Sequence, residues 1–166
     1  MEIWDVLDEH GNHTGRTMVR GEKMNPGEYY LAVHIWIKNS EGQYLIQKRS
    51  EEKTLWPGVW AVTGGAVVSG ETSLQAAMRE VEEELGVRPQ GNSMCFLTRI
   101  KRKDWFTDLW LLQQDIEIAD ITMQPGEVDD VRWSTADAIN DMVKRKEFVA
   151  YNYLDAFFDG RIMVEK

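Results

Sequence analysis

Short segments with alternating apolar and polar positions, rich in β-branched and aromatic residues, predict a series of strands. In chain order they cover residues 4–7, 14–19, 30–38, 43–49, about 61–63, 94–101, 106–116 and 131–133. Turns rich in glycine, asparagine or charge join several of them, as in hairpins. Gly64 and Gly65 are expected to break the fifth strand.

Helical periodicity is strongest over residues 71–85. An apolar stripe recurs there at the spacing of one helix face: Leu74, Ala77, Met78, Val81 and Leu85. Gly86 follows where a helix end favours a residue that tolerates positive φ. Two later helices are predicted over 137–143 and 148–157. Early strands, a central helix and late helices predict an α+β sandwich, with residues 1–166 as one domain.

Composition and charge narrow the functional classes. The longest apolar run, 29–37, is far shorter than the roughly 20 residues that cross a bilayer, so no membrane association is expected. Cys95 is the only cysteine, which excludes an intrachain disulfide and favours a reducing cytoplasm. The net charge of -9 disfavours nucleic-acid binding. An anionic substrate is still compatible with this charge if a divalent cation joins it to carboxylates.

The predicted central helix carries an acidic face beside its apolar stripe. Glu80, Glu83 and Glu84 are spaced so that their side chains project from neighbouring turns. Like charges at this spacing destabilise a helix, and a solvated acidic surface is the ordinary interpretation. A compensating cation is the alternative, because Mg²⁺ prefers hard oxygen ligands and accompanies phosphates.

A longer pattern surrounds these carboxylates. The residues Gly65, Glu71, Arg79, Glu80, Val81, Glu83, Glu84, Gly86 and Val87 fit G-x5-E-x7-R-E-U-x-E-E-x-G-U, where U is aliphatic. Chance would produce this match about 10⁻⁹ times per window from average residue usage. The pattern is the Nudix box, here residues 65–87, and the chain resembles the Nudix hydrolases. Its opening segment, residues 4–9 with Gly15, resembles the subgroup related to isopentenyl-diphosphate isomerase.

The resemblance implies a Nudix fold, an α/β/α sandwich with a mixed sheet, and a Mg²⁺-dependent hydrolase, with Mn²⁺ as an alternative metal. The implied activity is that of a pyrophosphohydrolase, in which water attacks phosphorus in a nucleoside diphosphate derivative. Glu83, Glu84, Glu80 and the carbonyl of Gly64 are the implied metal ligands. Arg79 is expected to orient a carboxylate such as Glu71.

Other candidates lie outside the box. Glu127 is a candidate base or ligand, or else an exposed turn acid. Arg49 is a candidate phosphate-binding cation, and the basic cluster of residues 101–103, with Lys103 as its substrate-binding candidate, could guide an anionic substrate. Trp105 is a candidate for stacking on a base. The alternatives are that Arg49 simply lies on a strand face, that Lys103 belongs to a solvated hairpin, and that Trp105 has an ordinary packing role. His34 is interpreted as a hydrogen-bonded core histidine.

Two other functions are compatible with the resemblance. An isomerase would need a cysteine just ahead of the box, where residues 61–64 have none, and a histidine where Tyr30 stands. A catalytically silent Nudix binding or regulatory module would usually lack some box carboxylates, which this chain retains. The identity of the diphosphate, the phosphorus attacked, the base and the number of metal ions are left open. Homodimers are frequent in the family, so the oligomeric state is open as well.

Overall fold

A computed structural model describes residues 1–162 of the chain. Its strands are β1 (Ile3–Leu7), β2 (His13–Val19), β3 (Tyr30–Lys38), β4 (Tyr44–Arg49), β5 (Trp60–Ala61), β6 (Thr63–Ala66), β7 (Met94–Lys101), β8 (Trp105–Gln113) and β9 (Val128–Ser134). The α-helices within these residues are α1 (Ser73–Leu85), α2 (Ala136–Lys144) and α3 (Leu154–Phe158). None of the described helices has the length and apolar character needed to span a membrane.

The main sheet is mixed, as predicted for this fold class. Its strands follow the order β5-β4-β3-β8-β7, with β6 also paired to β3 and β9 to β4. The pairing of β3 with β8 is parallel, whereas the other pairings in this sheet are antiparallel. Strands β1 and β2 form a separate antiparallel hairpin.

Strand β3 separates two apolar layers because successive side chains point to opposite faces. Val33, Ile35 and Ile37 pack with the buried stripe of α1. On the other face Trp36 packs in a cluster that includes buried residues of α2 and α3. The predicted α/β/α sandwich is therefore confirmed.

The first turn of α1 differs slightly from its prediction. The helix begins after Thr72, whose hydroxyl accepts from the backbone N–H of Gln75 while the Gln75 side chain accepts from Thr72. This capping box places Glu71 outside the helix. Gly86 ends the helix in the left-handed region, at φ 66°, as predicted. Leu74, assigned to the apolar stripe, is 36 % exposed.

Gly64 and Gly65 do not break the strand, contrary to the sequence prediction. Both lie within β6, where they pair with His34 and Val33. Neither glycine has positive φ, so both accept the extended backbone of a strand. What they lack is a side chain, and this absence proves important for the site.

The predicted C-terminal helix is shorter than the sequence pattern suggests. Phe148 forms a parallel bridge with Trp60, and the backbone N–H of Val149 donates to the Trp60 carbonyl. This pairing holds the chain in an extended conformation, and helix α3 begins only at Leu154. Strand β8 likewise ends at Gln113, three residues before the predicted end.

Candidate active site

A cavity of about 690 Å³ is lined by residues of α1, such as Glu80, and by residues of β3, such as His34. Small side chains on adjoining strands leave this space: Ala32, Gly64, Gly65 and Ala66 all line it. A Cβ on Gly65 would collide with the carboxylate of Glu80, and one on Gly64 would lie 2.5 Å from the Val33 carbonyl oxygen. The two glycines thus allow α1 and β3 to approach β6 closely.

The four candidate carboxylates from the sequence line this one cavity: Glu80, Glu83, Glu84 and Glu127. We call them the carboxylate cluster. The first three project from α1, and Glu127 immediately precedes β9. The backbone N–H of Gln124 donates to the Glu84 carbonyl at 3.0 Å, which holds the Glu127 loop against the end of α1. Residues distant in sequence are thereby brought to one site.

Glu84 is the buried member of the cluster, with 7 % of its surface exposed. Gln47 Nε2 donates to Glu84 Oε2 at 2.8 Å, and the Gly64 N–H approaches the same oxygen at 3.4 Å. Burial raises the pKa of Glu84 to about 8, and the charges of Glu80 and Glu127 act in the same direction. The Gln47 amide itself is oriented by Thr63, whose hydroxyl donates to it at 2.9 Å.

Arg79 organises the exposed side of the cluster. Its guanidinium donates to Glu71 at 2.7 Å, to Glu80 at 2.8 Å and to Glu83 at 3.1 Å. It also donates to the Ala66 carbonyl at 3.0 Å. These contacts raise the pKa of Arg79, whereas burial raises the pKa of Glu80 despite the nearby guanidinium. The predicted contact of Arg79 with Glu71 is present.

The donor set of the cluster fits a hard divalent cation in its chemistry. It offers carboxylate oxygens, and the buried Glu84 is hydrogen-bonded to an amide rather than to a cation. The carboxylate side chains of the cluster lie less close to a common point than the sequence predicts. Within residues 1–162 no group of three or more His, Cys, Asp or Glu side chains is arranged as a metal site. Arg79 accounts for this difference, because it draws Glu80 and Glu83 into ion pairs.

The outlying candidates have different surroundings. Glu127 forms an ion pair with Lys53, which also lines the cavity. Arg49 lines the cavity as well, and its Nε donates to the Leu55 carbonyl at 3.0 Å. Lys103 is exposed and lies outside the cavity lining, so its predicted substrate contact gains no support. Its neighbour Arg102 lines the cavity instead.

Trp105 does line the cavity, together with two rings that sequence reasoning did not assign to the site. Trp4 stacks on Tyr30 with ring centroids 4.5 Å apart, and Tyr30 stacks on Trp105 at 6.1 Å. We call Trp4, Tyr30 and Trp105 the aromatic wall. Tyr30 and Trp105 are register partners on β3 and β8. Each of these two residues begins a strand, and this position was the signal that the sequence offered for the site. The parallel pairing that aligns the two strands cannot be predicted from the local sequence.

His34 lies on the cavity floor and belongs to a buried hydrogen-bonded group, as predicted. Its Nδ1 lies 2.8 Å from the hydroxyl of Tyr153, which also accepts from Trp36 Nε1 at 3.2 Å. Burial lowers the pKa of His34 to about 3, with a further contribution from the charge of Arg102. The imidazole is therefore neutral at physiological pH.

Comparison with known proteins agrees with this geometry. The family model described as "NUDIX domain" matches residues 28–157. An uncharacterized Nudix hydrolase from Listeria monocytogenes is 39% identical over 160 residues, covering 96% of this chain and 95% of the relative. An isopentenyl-diphosphate Delta-isomerase from Pectobacterium atrosepticum is 32% identical over 152 residues, covering 88% of this chain and 84% of the relative.

A solved structure supports the fold. The crystal structure of DR0079 from Deinococcus radiodurans superposes with a TM-score of 0.79 and 24% sequence identity. The match covers 97% of this chain and 99% of that one. At this level of identity the similarity concerns the fold alone.

Proposed function

The chain belongs to the NUDIX family, and from that membership we propose a Mg²⁺-dependent pyrophosphohydrolase that cleaves a diphosphate bond in a nucleoside diphosphate derivative. The family match, together with relatives named Nudix hydrolases, makes the chain a hydrolase of phosphorus-containing acid anhydrides. The observation that carries the finer proposal is the meeting of the carboxylate cluster with Arg49 in one cavity. The single cysteine also favours the reducing cytoplasm as its compartment.

The carboxylate cluster and the Gly64 carbonyl are the groups that would hold the metal. When bound, Mg²⁺ would supply charge neutralisation and Lewis acidity at the phosphoryl oxygens, and Mn²⁺ could replace it. The cavity needs such a countercharge, because its carboxylates would otherwise repel a diphosphate. Arg49, which lines the same cavity, is proposed to contact the phosphate groups.

The protein's own part in the reaction is positioning and proton transfer. Phosphoryl transfer requires chiefly that the attacking water and the leaving oxygen be held in line. Gly65 leaves room for the Glu80 carboxylate against β6, and the guanidinium of Arg79 holds Glu80 and Glu83 by hydrogen bonds. Glu80 and Glu127 are the proposed bases, because either carboxylate can accept the proton released by water.

A substrate panel tests this proposal. Nucleoside di- and triphosphates, nucleotide sugars, dinucleoside polyphosphates and coenzyme A would be incubated with Mg²⁺, and the phosphorylated products would be identified. Glu83→Gln is expected to reduce turnover about 100-fold or more by removing a proposed metal ligand. Glu82→Gln is the matched control, since Glu82 lies on the same helix, is exposed and pairs with Arg88 away from the cavity.

The panel has outcomes that would reject the proposal. Equal turnover in the Glu83→Gln and wild-type proteins would exclude the cluster as the catalytic site. Hydrolysis in ¹⁸O water identifies the attacked phosphorus, and label appearing on carbon would exclude attack at phosphorus.

Isomerase activity is the second candidate, because a named isomerase is 32% identical over most of the chain. The chain lacks the cysteine that this chemistry uses, since Cys95 lies on β7 and outside the cavity lining. We therefore expect no conversion of isopentenyl diphosphate to its dimethylallyl isomer. Detection of that isomer by mass spectrometry and chromatography would reverse the choice.

A further inference from the structure

Arg102 is unusual among the arginines that line the cavity. Arg20 is paired with Glu2, and Arg79 with Glu71 and two further carboxylates. Within the part of the chain that the structure describes, the Nε atom of Arg102 is the one buried side-chain nitrogen or oxygen without a hydrogen-bond partner. A buried donor that lacks an acceptor disfavours folding. Because Arg102 lines the cavity, a ligand bound there would provide an acceptor.

Arg102 lies in the turn between β7 and β8 and lines the cavity. The backbone N–H of Arg102 donates to the Trp105 carbonyl at 2.8 Å, which closes the turn. The positive charge of Arg102 is close enough to His34 to help lower the pKa of that residue. Arg102 and His34 line the same cavity, and the Nε atom of Arg102 is buried there.

The aromatic wall lies beside Arg102 and is held in place on both sides. Trp105 Nε1 donates to the Thr107 hydroxyl at 3.1 Å, and Trp4 Nε1 donates to Glu2 at 2.7 Å. The planes of Trp4 and Tyr30 differ by 22°, and those of Tyr30 and Trp105 by 23°. Because the three rings stack in series, a flat aromatic ligand would extend the stack at an outer face, and Trp105 is the end ring next to Arg102.

We propose that Arg102 is a specificity-determining residue that binds the nucleobase of the substrate, donating hydrogen bonds to an acceptor edge while the base stacks on the aromatic wall. This inference rests on the proposed function, since it assigns the nucleoside part of that substrate. The planar fork of a guanidinium matches paired acceptors on a base edge. A phosphate would also accept from Arg102, but it would gain nothing from the adjacent rings.

Binding of nucleoside monophosphates separates these two ligands. AMP, GMP, CMP and UMP would be compared with ribose 5-phosphate, which has the same phosphate and sugar but no base. None of these five ligands contains a diphosphate bond, so calorimetric titration with Mg²⁺ present is independent of diphosphate hydrolysis. We expect at least one nucleotide to bind wild type about 10-fold or more tightly than ribose 5-phosphate, as is typical of base stacking with hydrogen bonds.

The variants then assign the preference to Arg102. Arg102→Met is expected to weaken binding of the preferred nucleotide about 10-fold and to leave ribose 5-phosphate unchanged. Arg102→Lys keeps the charge but loses the planar fork, so it should lose most of the same preference. Arg88→Met is the matched control, because Arg88 is exposed and pairs with Glu82 outside the cavity. If Arg102→Met does not fold, Arg102→Lys carries the test.

Two results would overturn the assignment. One is a wild-type protein that binds ribose 5-phosphate as tightly as every nucleotide. The other is an Arg102 variant that weakens all five ligands equally, which would make Arg102 a phosphate contact. Neither result bears on hydrolysis, because the proposed function is tested separately by the Glu83→Gln and Glu82→Gln pair on the diphosphate panel.

Discussion

The carboxylate cluster and the aromatic wall line the same cavity but are built from different parts of the chain. Three of the four carboxylates occupy one stretch of α1, so helical geometry alone brings them to a common face. The aromatic wall instead takes one ring from each of three strands that are far apart in sequence. The cluster would hold the reacting group, whereas the wall and Arg102 would select what is attached to it.

The two regions also differ in their electrostatics. The cluster keeps carboxylates in a partly buried setting, which raises the pKa of both Glu80 and Glu84. The aromatic wall buries apolar surface, which stabilises the fold without an electrostatic penalty. Changes at the cluster should therefore affect activity and stability in opposite directions, whereas changes at the wall should affect binding.

Glu84→Gln is expected to have the largest effect on activity. The substitution keeps the size of the side chain and an oxygen that can accept from Gln47, but it removes the charge proposed to hold the metal. We expect turnover to fall about 1000-fold, in the range found when a central electrostatic group is lost. Steady-state hydrolysis of the best substrate from the panel measures the effect.

The same variant should be more stable than wild type when metal is chelated. The folded pKa of Glu84, about 8, lies above its ordinary value, so ionisation destabilises the folded state as pH rises through that interval. At pH 9 in EDTA we expect the melting temperature of Glu84→Gln to exceed that of wild type by about 2–5 °C. At pH 4 the difference should disappear. A variant that is less stable than wild type at both pH values would contradict the proposal that the ionised Glu84 carboxylate destabilises the folded state.

Arg79→Lys should reduce turnover about 10- to 100-fold, like the loss of residues that orient metal ligands. Lysine retains the charge but cannot contact Glu71, Glu80 and Glu83 at once, as the guanidinium does. A positioning role predicts that excess Mg²⁺ or Mn²⁺ restores part of the loss. Titrating the metal against the rate provides this measurement, and a rate loss insensitive to metal concentration would argue against positioning.

The carboxylate cluster could be predicted from sequence and the aromatic wall could not, for a physical reason. Helix periodicity fixes the relation of Glu80 to Glu84 within two turns, whereas Tyr30 meets Trp105 only through a parallel pairing across the sheet. Local patterns contain no information about that register. For the same reason the sequence indicated the basic cluster of residues 101–103 and chose Lys103 within it, whereas Arg102 is the member that lines the cavity.

Local patterns also misjudged two segments where tertiary contacts decide the conformation. Gly64 and Gly65 resemble a strand break in isolation, but their pairing with β3 retains them in β6. Phe148 fits an amphipathic helix in isolation, but its bridge to Trp60 keeps the backbone extended. In both cases hydrogen bonds to a distant strand outweigh the local preference.

Gly65→Ala tests how closely the cluster depends on the sheet beneath it. The added methyl would displace the Glu80 carboxylate, which is the end of a flexible side chain, so the fold should persist while turnover falls about 10-fold. Gly64→Ala is the informative comparison, because its methyl would meet the rigid Val33 carbonyl and should lower the melting temperature instead. Similar losses of stability in both variants would show that the glycines serve the fold alone.

Tyr153→Phe should produce the smallest effect on turnover and a measurable effect on stability. The Tyr153 hydroxyl bonds both His34 and Trp36, so its removal leaves buried polar groups of both residues without that partner. We expect the free energy of unfolding to fall by about 1–3 kcal/mol, as for other buried groups left unsatisfied. Tyr151→Phe is the control, because its hydroxyl accepts one long contact from the Val62 N–H at 3.4 Å. Urea unfolding monitored by circular dichroism compares the two variants.

Tyr153 lies behind the cavity floor and is not part of the cavity lining, so its loss should affect turnover little. A turnover loss as large as that of Arg79→Lys would mean that the buried hydroxyl and the reacting end of the cavity are coupled through His34.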